Sequence, residues 1–364
     1  MILSRYIARR YLTSFLGVLA VMAGILLMLD MVEQLRRFAG DGVGVGQALR
    51  LAALRMPSSL YAVLPLVAIL STLALFVALA RSSELVVTRA VGRSALHVVA
   101  APALVALALG GVAVAALNPL VASTARQYDA AVAQLGGEDT ALLSVGRDGL
   151  WLRDATADGQ RVIRAAQSSA DATRLFEVTI LGFGSDNAPS FRVDAATARL
   201  VPGGWELTEV REWDLTVPNP EASVRGHATL GVPTNLTPAA LRDSFAPPAT
   251  IPIWDLPGFI ATLDRAGFSA LEHRVWLQME LSLPLMLMAM VLVGAGFTMG
   301  HIRAGNQGIM VLAALIAGFC AFFLRDFAQV LGENGQIPVA LAAWTPPVVA
   351  NLTALALILQ MEEG

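Results

Sequence analysis

Residues 60–80 read LYAVLPLVAILSTLALFVALA, residues 81–94 read RSSELVVTRAVGRS, and residues 95–117 read ALHVVAAPALVALALGGVAVAAL. The two outer runs contain no Asp, Glu, Lys or Arg. Each is long enough to cross a hydrocarbon core of about 30 Å as a helix of about 20 residues. The segment between them carries charges that are costly to place inside that core. The stretch therefore predicts two membrane-spanning helices joined by a short loop in water.

The composition of the whole chain agrees with this prediction. Of its 364 residues, 56% are hydrophobic and 15% are charged, with a mean hydropathy of +0.64, which is far from an average soluble protein. The formal net charge of −3 gives no electrostatic reason to expect nucleic-acid binding. The single cysteine, Cys320, excludes an intrachain disulfide framework and a cysteine-based metal site.

Six apolar runs of spanning length occur along the chain. They cover about residues 11–29, 60–80, 95–117, 281–299, 309–331 and 339–359. Arginines precede the first run, as in a signal peptide, but the run reaches spanning length and so predicts a retained anchor. Seven arginines lie before the first run and in the loops after the second and fourth runs, whereas four lie in the loop after the first run and weaken this bias without reversing it. This bias predicts that both termini lie in the cytoplasm.

The insertion between the third and fourth runs has a different pattern. Short alternating stretches such as GLWLRD, LFEVTILGF and GWELTEVREWDL are separated by Gly, Asp, Asn and Pro, which indicates antiparallel strands. Their spacing favours a β-sandwich or jelly roll. We therefore predict a membrane α-helical bundle with an inserted all-β, jelly-roll-like domain. Residues 1–124 would hold transmembrane helices 1–3, residues 125–275 a periplasmic β domain, and residues 276–364 transmembrane helices 4–6.

The charged loop itself predicts a short helix over residues 82–92. Ser82 or Ser83 can cap its start, Glu84 lies in the first turn where the helix dipole favours an anion, and Gly92 can end it. A helix of about two turns is unstable by itself, so it needs a partner surface. The alternative is an ordinary capped turn between two spans.

Several stretches resemble one known family. They are RYIARRYL at 5–12, VEQLRRFAG at 32–40, SELVVTRAVG at 83–92, TNLTPAAL at 234–241 and QIPVALAAWTPP at 336–347. Together with the order of three spans, β domain and three spans, they resemble the LptF/LptG (YjgP/YjgQ) permeases, which export lipopolysaccharide from the inner membrane. The last stretch is more similar to the LptG members than to the LptF members.

The resemblance implies one half of an ABC-type exporter in a Gram-negative inner membrane. Its implied partners are a homologous LptF-like permease, a cytoplasmic LptB-like ATPase dimer, and periplasmic β-jelly-roll bridge proteins that are LptC-like and LptA-like. ATP and Mg²⁺ would be bound by the ATPase, because this chain has no G-x-x-x-x-G-K-[ST] phosphate loop. We expect no cofactor, catalytic residue or metal site in the chain itself.

The resemblance also implies an ATPase-docking site in the charged loop. Glu84 is expected to make the docking contact, with Arg89 and Gly92 supporting its position. A carboxylate at a helix start can instead hold only its own cap, so a structural role for Glu84 is the alternative.

A second implied site would bind lipopolysaccharide. Arg36 and Arg37, just beyond the first predicted span, and Arg126, just past the third, match basic positions that the family uses to hold the substrate. Guanidinium groups bind lipid A phosphates in a planar, bidentate manner. The alternative for each is a solvated interfacial arginine, or one bound to an ordinary phospholipid.

Two acidic residues depart from the family pattern. Asp30 and Asp129 stand where LptG-like chains can carry a basic residue. Either Arg36 neutralises the local charge, or the lipid A of this organism carries less phosphate. Further along the chain, Arg325 and Asp326 near the end of the fifth run could neutralise each other, because an unpaired charge there is costly.

Three other classes of function compete with export. An enzyme is disfavoured because the four histidines lack metal-ligand spacing and the chain has no H-E-x-x-H or G-x-S-x-G motif. An ion-driven transporter is disfavoured because the centres of the predicted spans are almost free of charge. A non-transporting scaffold or mechanotransmitting permease acting through its periplasmic domain remains the alternative, although known permeases of that kind place the domain after the first span.

Overall fold

The computed structural model describes two compact units. The helical unit comprises Met1–Leu135, Pro248–Trp254 and Leu271–Gly364, and the β unit comprises Gly136–Pro247 and Asp255–Ala270. The structure describes residues 2–38, 44–82, 84, 94–136, 143–146, 149–156, 159–169, 173–184, 188–234, 247–265, 269–299 and 307–363.

The helices account for most of the described chain. They are α1 (Ile2–Arg37), α2 (Val45–Ala62), α3 (Leu64–Arg81), α4 (Ala95–Val112), α5 (Asn118–Gly136), α6 (Leu256–Arg265), α7 (Leu271–Thr298), α8 (Gln307–Glu333) and α9 (Val339–Glu363). A π-helical turn, Ala113–Leu117, joins α4 to α5 without a break. Six described segments are long and apolar enough to cross a membrane, namely α1, α3, α4 with α5, α7, α8 and α9. The predicted six-span bundle is therefore confirmed.

The second span begins later than the sequence predicted because a separate helix precedes it. Helix α2 runs to Ala62, and Pro65 lies in the first turn of α3, where its missing N–H costs nothing. Further along α3, the buried hydroxyls of Ser71 and Thr72 donate to the carbonyls one turn earlier. These bonds leave the polar side chains satisfied inside an apolar helix.

Helix α7 lies at the centre of the helical unit and is buried along most of its length. Small residues permit close approach of its neighbours. An added Cβ at Gly294 would lie 3.0 Å from a methyl of Thr72 in α3, and one at Gly110 in α4 would overlap the backbone of Pro284 in α7. A larger residue at Gly110 would therefore force α4 and α7 apart, while Gly294 is in close contact with a side chain of α3.

Helices α1 and α8 are much less covered. In α1 the buried residues are Ile7, Tyr11, Phe15 and Gln34, so the middle of the helix has no buried side chain. Many large apolar side chains on α8 are also exposed, Phe323 among them. Apolar faces of this size indicate contact with lipid or with a partner.

The β unit contains one antiparallel sheet of seven described strands in chain order. They are β1 (Leu143–Gly146), β2 (Gly149–Thr156), β3 (Gly159–Ser168), β4 (Arg174–Phe183), β5 (Pro189–Val201), β6 (Gly204–Asp214) and β7 (Arg225–Pro233). The predicted inserted β domain is confirmed as an antiparallel sheet, although the unit also contains helix α6. The strand order among these residues is a meander, whereas a jelly roll would pair strands distant in sequence. Alternation identifies strands but not their partners, and short hairpin connections favour chain neighbours.

The interior of the β unit is lined by alternate residues of successive strands. Leu152, Ile163, Ile180 and Val193 are opposite one another in neighbouring strands, and each is about 1% exposed. The amphipathic helix α6, which the sequence analysis did not predict, adds its own buried apolar side chains to this unit.

A buried polar pair also lies in this interior. Arg161 of β3 donates from Nη1 to the carbonyl of Pro233 at the end of β7, at 2.8 Å. The sheet must therefore curl, because these strands are not neighbours in it. Asp154 of β2 is opposite Arg161 in register and is 3% exposed. Burial raises the pKa of the Asp154 carboxyl, while a bond from Thr234 and the charge of Arg161 oppose that shift.

Candidate functional site

Glu84 lies three residues beyond Arg81, the last residue of α3, and three side chains among the described residues donate to its carboxylate. Arg10 Nη1 donates to Oε1 at 2.8 Å and to Oε2 at 2.9 Å, Tyr6 donates to Oε2 at 3.1 Å, and Ser82 donates to Oε1 at 2.8 Å. These contacts join the loop after α3 to the first turns of α1. The other two residues of the predicted docking site, Arg89 and Gly92, lie outside the described residues.

The hydrogen bonds stabilise the charged form of the Glu84 carboxylate. They hold its pKa below the ordinary value, with Arg10 making the largest contribution, followed by Ser82 and Tyr6. The side chains of Arg10 and Glu84 are 29% and 37% exposed. The site therefore holds an ionised carboxylate, paired with Arg10, that is fixed in position yet still partly exposed to a partner.

Two residues of this site were missed by the sequence analysis, Tyr6 and Arg10. They are one helical turn apart on α1, so their side chains share a face. Arg10 Nη1 donates to the Tyr6 hydroxyl at 2.7 Å, and the guanidinium lies 5.8 Å from the centre of the Tyr6 ring. The available signal was a basic residue one turn after a tyrosine in RYIARRYL, but nothing in the sequence relates it to Glu84.

The C-terminal end of α1 carries two of the three predicted lipid-binding arginines. The Arg36 side chain is 81% exposed and pairs with Glu33 at 3.4 Å. Arg37 Nη1 donates to the Tyr128 hydroxyl of α5 at 3.4 Å. That hydroxyl donates in turn to the Gln34 amide oxygen of α1 at 3.2 Å. Tyr128 thus joins this end of α1 to α5.

Arg126, the third predicted arginine, lies on α5 two residues before Tyr128. Its Nη1 donates to the carbonyl of Thr250 at 3.3 Å. Among the described contacts no bond links Arg126 directly to Arg36 or Arg37. The structure thus brings Arg37 to the helix that carries Arg126 and leaves Arg36 at the surface.

Asp30 has a different partner from the one expected. Its carboxylate accepts a hydrogen bond from Ser59 at 3.0 Å and lies 3.9 Å from Arg55 Nε, both in α2. The expectation that Arg36 neutralises Asp30 is wrong, because Arg36 pairs with Glu33 one turn earlier on its own helix. Arg55 supplies the opposite charge instead.

A cavity of about 400 Å³ lies among α2, α3, α5, α7 and α8. Its lining includes Glu280, which is 3% exposed and accepts a hydrogen bond from the Tyr61 hydroxyl. Arg325 and Asp326 also line it, and their charged groups are 3.5 Å apart. The sequence analysis considered that ion pair but missed Glu280, which comes directly before the fourth apolar run. A lone acidic residue at the edge of a span was the available signal.

The described residues form no metal-binding group. Among them, no three His, Cys, Asp or Glu side chains lie close enough together to hold an ion. Their polar sites are ion pairs and hydrogen-bond networks that hold helices together or present charge. Such an arrangement is suited to binding charged partners and ligands.

Comparison with known proteins gives one consistent result. The family described as lipopolysaccharide export system permease LptF/LptG matches residues 5–360. The chain is 28% identical over 360 residues to the Escherichia coli (strain K12) lipopolysaccharide export system permease protein LptG, covering 96% of this chain and 94% of that protein. The protein of the same name from Haemophilus influenzae is 23% identical over 361 residues, covering 95% of each chain. Because the match extends through all six spans and the β unit, the chain belongs to the LptF/LptG family of lipopolysaccharide export system permeases.

Proposed function

We propose that this chain is the permease subunit of an exporter that extracts lipopolysaccharide from the inner membrane and passes it to a periplasmic bridge. A separate ATPase drives it by docking at Glu84. The observation that carries the proposal is the Glu84 carboxylate, which is charged, partly exposed and fixed by three donors in a loop between two spans. A carboxylate fixed in this way is suited to a docking contact through which the ATPase applies force to the permease.

The energetics of lipid extraction support an external energy source. Removing an acyl chain of about 14 carbons from a bilayer costs about 0.8 kcal/mol per CH₂, or about 10 kcal/mol for each chain. This chain has no phosphate-binding loop in its sequence. The work therefore comes from a partner that binds ATP and Mg²⁺, while this chain needs no cofactor or catalytic residue of its own.

The arginines at the end of α1 and on α5 form the proposed substrate site. Among the described residues, the hydrogen bonds of Arg37 and Arg126 go to neutral oxygens, at 3.4 Å and 3.3 Å, and Arg37 also lies over the Phe38 ring. Phosphate offers them shorter and stronger charge-assisted bonds. Arg36 is mostly exposed and has a single carboxylate partner. All three can therefore exchange their present contacts for lipid A phosphates at little cost.

The remaining partners follow from the same proposal. An LptF-like permease would cover part of the exposed apolar faces of α1 and α8, and an LptB-like ATPase dimer would lie below the loop that contains Glu84. LptC-like and LptA-like bridge proteins would continue from the β unit. Both termini would then be cytoplasmic and the β unit periplasmic.

The docking role of Glu84 is tested by purifying the complex through a tag on this chain. Glu84→Ala should lose most of the copurifying ATPase and the lipid-stimulated ATP hydrolysis, because the fixed charge is gone. Arg50→Ala, which removes an exposed charge from α2, is the control. Full ATPase retention and full stimulated hydrolysis in Glu84→Ala would show that Glu84 is not the docking residue.

The substrate role is tested by reversing charge at Arg36 and Arg37. The double change to Glu should weaken photo-crosslinking to lipopolysaccharide, since carboxylates repel phosphates. Arg50→Glu makes the same change at an exposed position of α2 outside the proposed site. Crosslinking that falls equally in both variants, or in neither, would remove Arg36 and Arg37 from the site.

A further inference from the structure

We infer that Tyr6 and Arg10 are positioning residues that fix the Glu84 carboxylate, and that through them the docking surface includes the first turns of α1. This inference rests on the proposed docking role of Glu84. It goes further because it gives Tyr6 and Arg10, two residues of another helix, a role in positioning Glu84. It also names α1 as the element that connects the docking site with the lipid-binding arginines.

The described contacts of Glu84 divide into a local one and a long-range one. Ser82 is two residues away and is bonded to the Ala78 carbonyl in the last turn of α3, so its bond places the carboxylate relative to α3. Arg10 and Tyr6 are 74 and 78 residues away in sequence. Arg10 reaches both carboxylate oxygens, and Tyr6 reaches one of them. These two contacts place the Glu84 carboxylate relative to α1.

The N-terminal part of α1 is itself firmly packed. Ile7, Tyr11 and Phe15 are 3%, 0% and 4% exposed and belong to the main apolar core of the helical unit. The Tyr11 and Phe15 rings lie 6.2 Å apart, which is the range of a favourable aromatic pair. Arg10 directly precedes Tyr11 in this packed segment. A force on Glu84 must therefore either break its bonds to α1 or move this end of the helix.

The middle of α1 is held less tightly than its ends. No side chain between Phe15 and Gln34 is buried within this described helix, and Val18, Leu19 and Met22 are only partly buried against the core. A helix of 36 residues is about 54 Å long. Its other described polar attachments lie toward its C-terminal end, in the contacts of Asp30 with α2 and of Gln34 with α5. A rod held more firmly near its two ends than between them transmits displacement from one end to the other.

The two proposed sites occupy those two ends. Arg10 contacts Glu84, while Arg36 and Arg37 belong to the last turn of the same helix. The 26 residues from Arg10 to Arg36 correspond to about 39 Å of helix. One continuous element thus joins the docking carboxylate to the lipid-binding arginines. This is the physical connection that coupling between distant sites requires.

A neighbouring arginine supplies a matched control. Arg9 lies one residue before Arg10 on the same helix and carries the same charge, but it is exposed and pairs with no acidic side chain among the described residues. Replacing it removes one positive charge from the same end of α1. It leaves the contacts of Glu84 in place.

The experiment uses the intact permease complex in proteoliposomes with the variants Arg10→Ala, Arg10→Lys, Tyr6→Phe, Arg9→Ala and Glu84→Ala. Two quantities are measured: the amount of ATPase retained, and the lipopolysaccharide released per ATP hydrolysed. Arg10→Ala should weaken ATPase binding about threefold, as expected for a partly exposed charged pair. It should also lower the lipid released per ATP. Tyr6→Phe should have a smaller effect in the same direction, and Arg10→Lys should restore most of both quantities.

The control variants separate this inference from the proposed function. If Glu84→Ala loses the ATPase while Arg10→Ala behaves like Arg9→Ala, the role of Arg10 is refuted and the docking role of Glu84 stands. If Arg10→Ala lowers ATPase binding but leaves the lipid released per ATP unchanged, Arg10 positions Glu84 but the connection through α1 to the lipid-binding arginines is refuted. If Glu84→Ala retains the ATPase, both the docking role and this inference fail.

Discussion

Replacing Gly110 with alanine should weaken the contact between α4 and α7, the central helix of the bundle. A methyl group at position 110 would lie 3.0 Å from Pro284 Cβ and 3.1 Å from Pro284 N, and it would overlap the Cα atom. Optimal carbon contacts are about 3.5–4.0 Å, so the helices must separate by about 1 Å. Pro284 cannot rotate away, because its ring is fixed to the backbone.

The size of the effect follows from two opposing contributions. Overpacking of this kind costs about 1–3 kcal/mol. Alanine also stabilises a helix relative to glycine by up to about 1 kcal/mol. The adjacent Gly111→Ala variant gains the same helix stabilisation, and its added methyl meets no atom within 4 Å. The difference between the two variants therefore isolates the clash, at about 1–3 kcal/mol.

The assay is thermal unfolding of the full-length chain in detergent, followed by size-exclusion chromatography after heating. At about 3 °C per kcal/mol for a chain of this size, Gly110→Ala should melt about 3–9 °C below Gly111→Ala. The wild-type protein should melt between them or close to Gly111→Ala. Equal melting temperatures for the two variants would mean that α4 and α7 do not touch at Gly110.

Two further predictions concern buried polar groups. Because the pKa of Asp154 is raised in the folded protein, its contribution to stability is present below the ordinary carboxyl pKa and is lost as pH rises through the folded pKa. The melting temperature of Asp154→Asn should therefore rise relative to that of the wild type as pH increases from 4 to 7. A constant difference between the two melting temperatures would contradict this prediction. Tyr61→Phe removes the hydroxyl that donates to buried Glu280. It should lower the free energy of unfolding by about 1–3 kcal/mol, which the same assay would show as a lower melting temperature. An unchanged melting temperature would refute this hydrogen bond.

The sequence by itself determined the class of the protein and its principal elements. Six runs of about 20 apolar residues predict six helices, because a helix satisfies all the backbone hydrogen bonds of one such run within the bilayer. Alternation in stretches such as LFEVTILGF predicts strands because successive side chains point to opposite faces. These patterns depend on residues close together in the chain, so they can be read without knowing the fold. Ordered motifs likewise sufficed to indicate the family.

Only the tertiary structure decided which distant residues meet. The pairing of Glu84 with Arg10, of Asp30 with Arg55, and of Arg161 with the end of β7 joins separate elements. A charge pattern cannot choose among several arginines, as the wrong pairing of Asp30 with Arg36 illustrates. The choice depends on which helix faces pack together and how far a sheet curls. Both are set by the burial of apolar surface across the whole bundle or sheet, so no local stretch of sequence contains the answer.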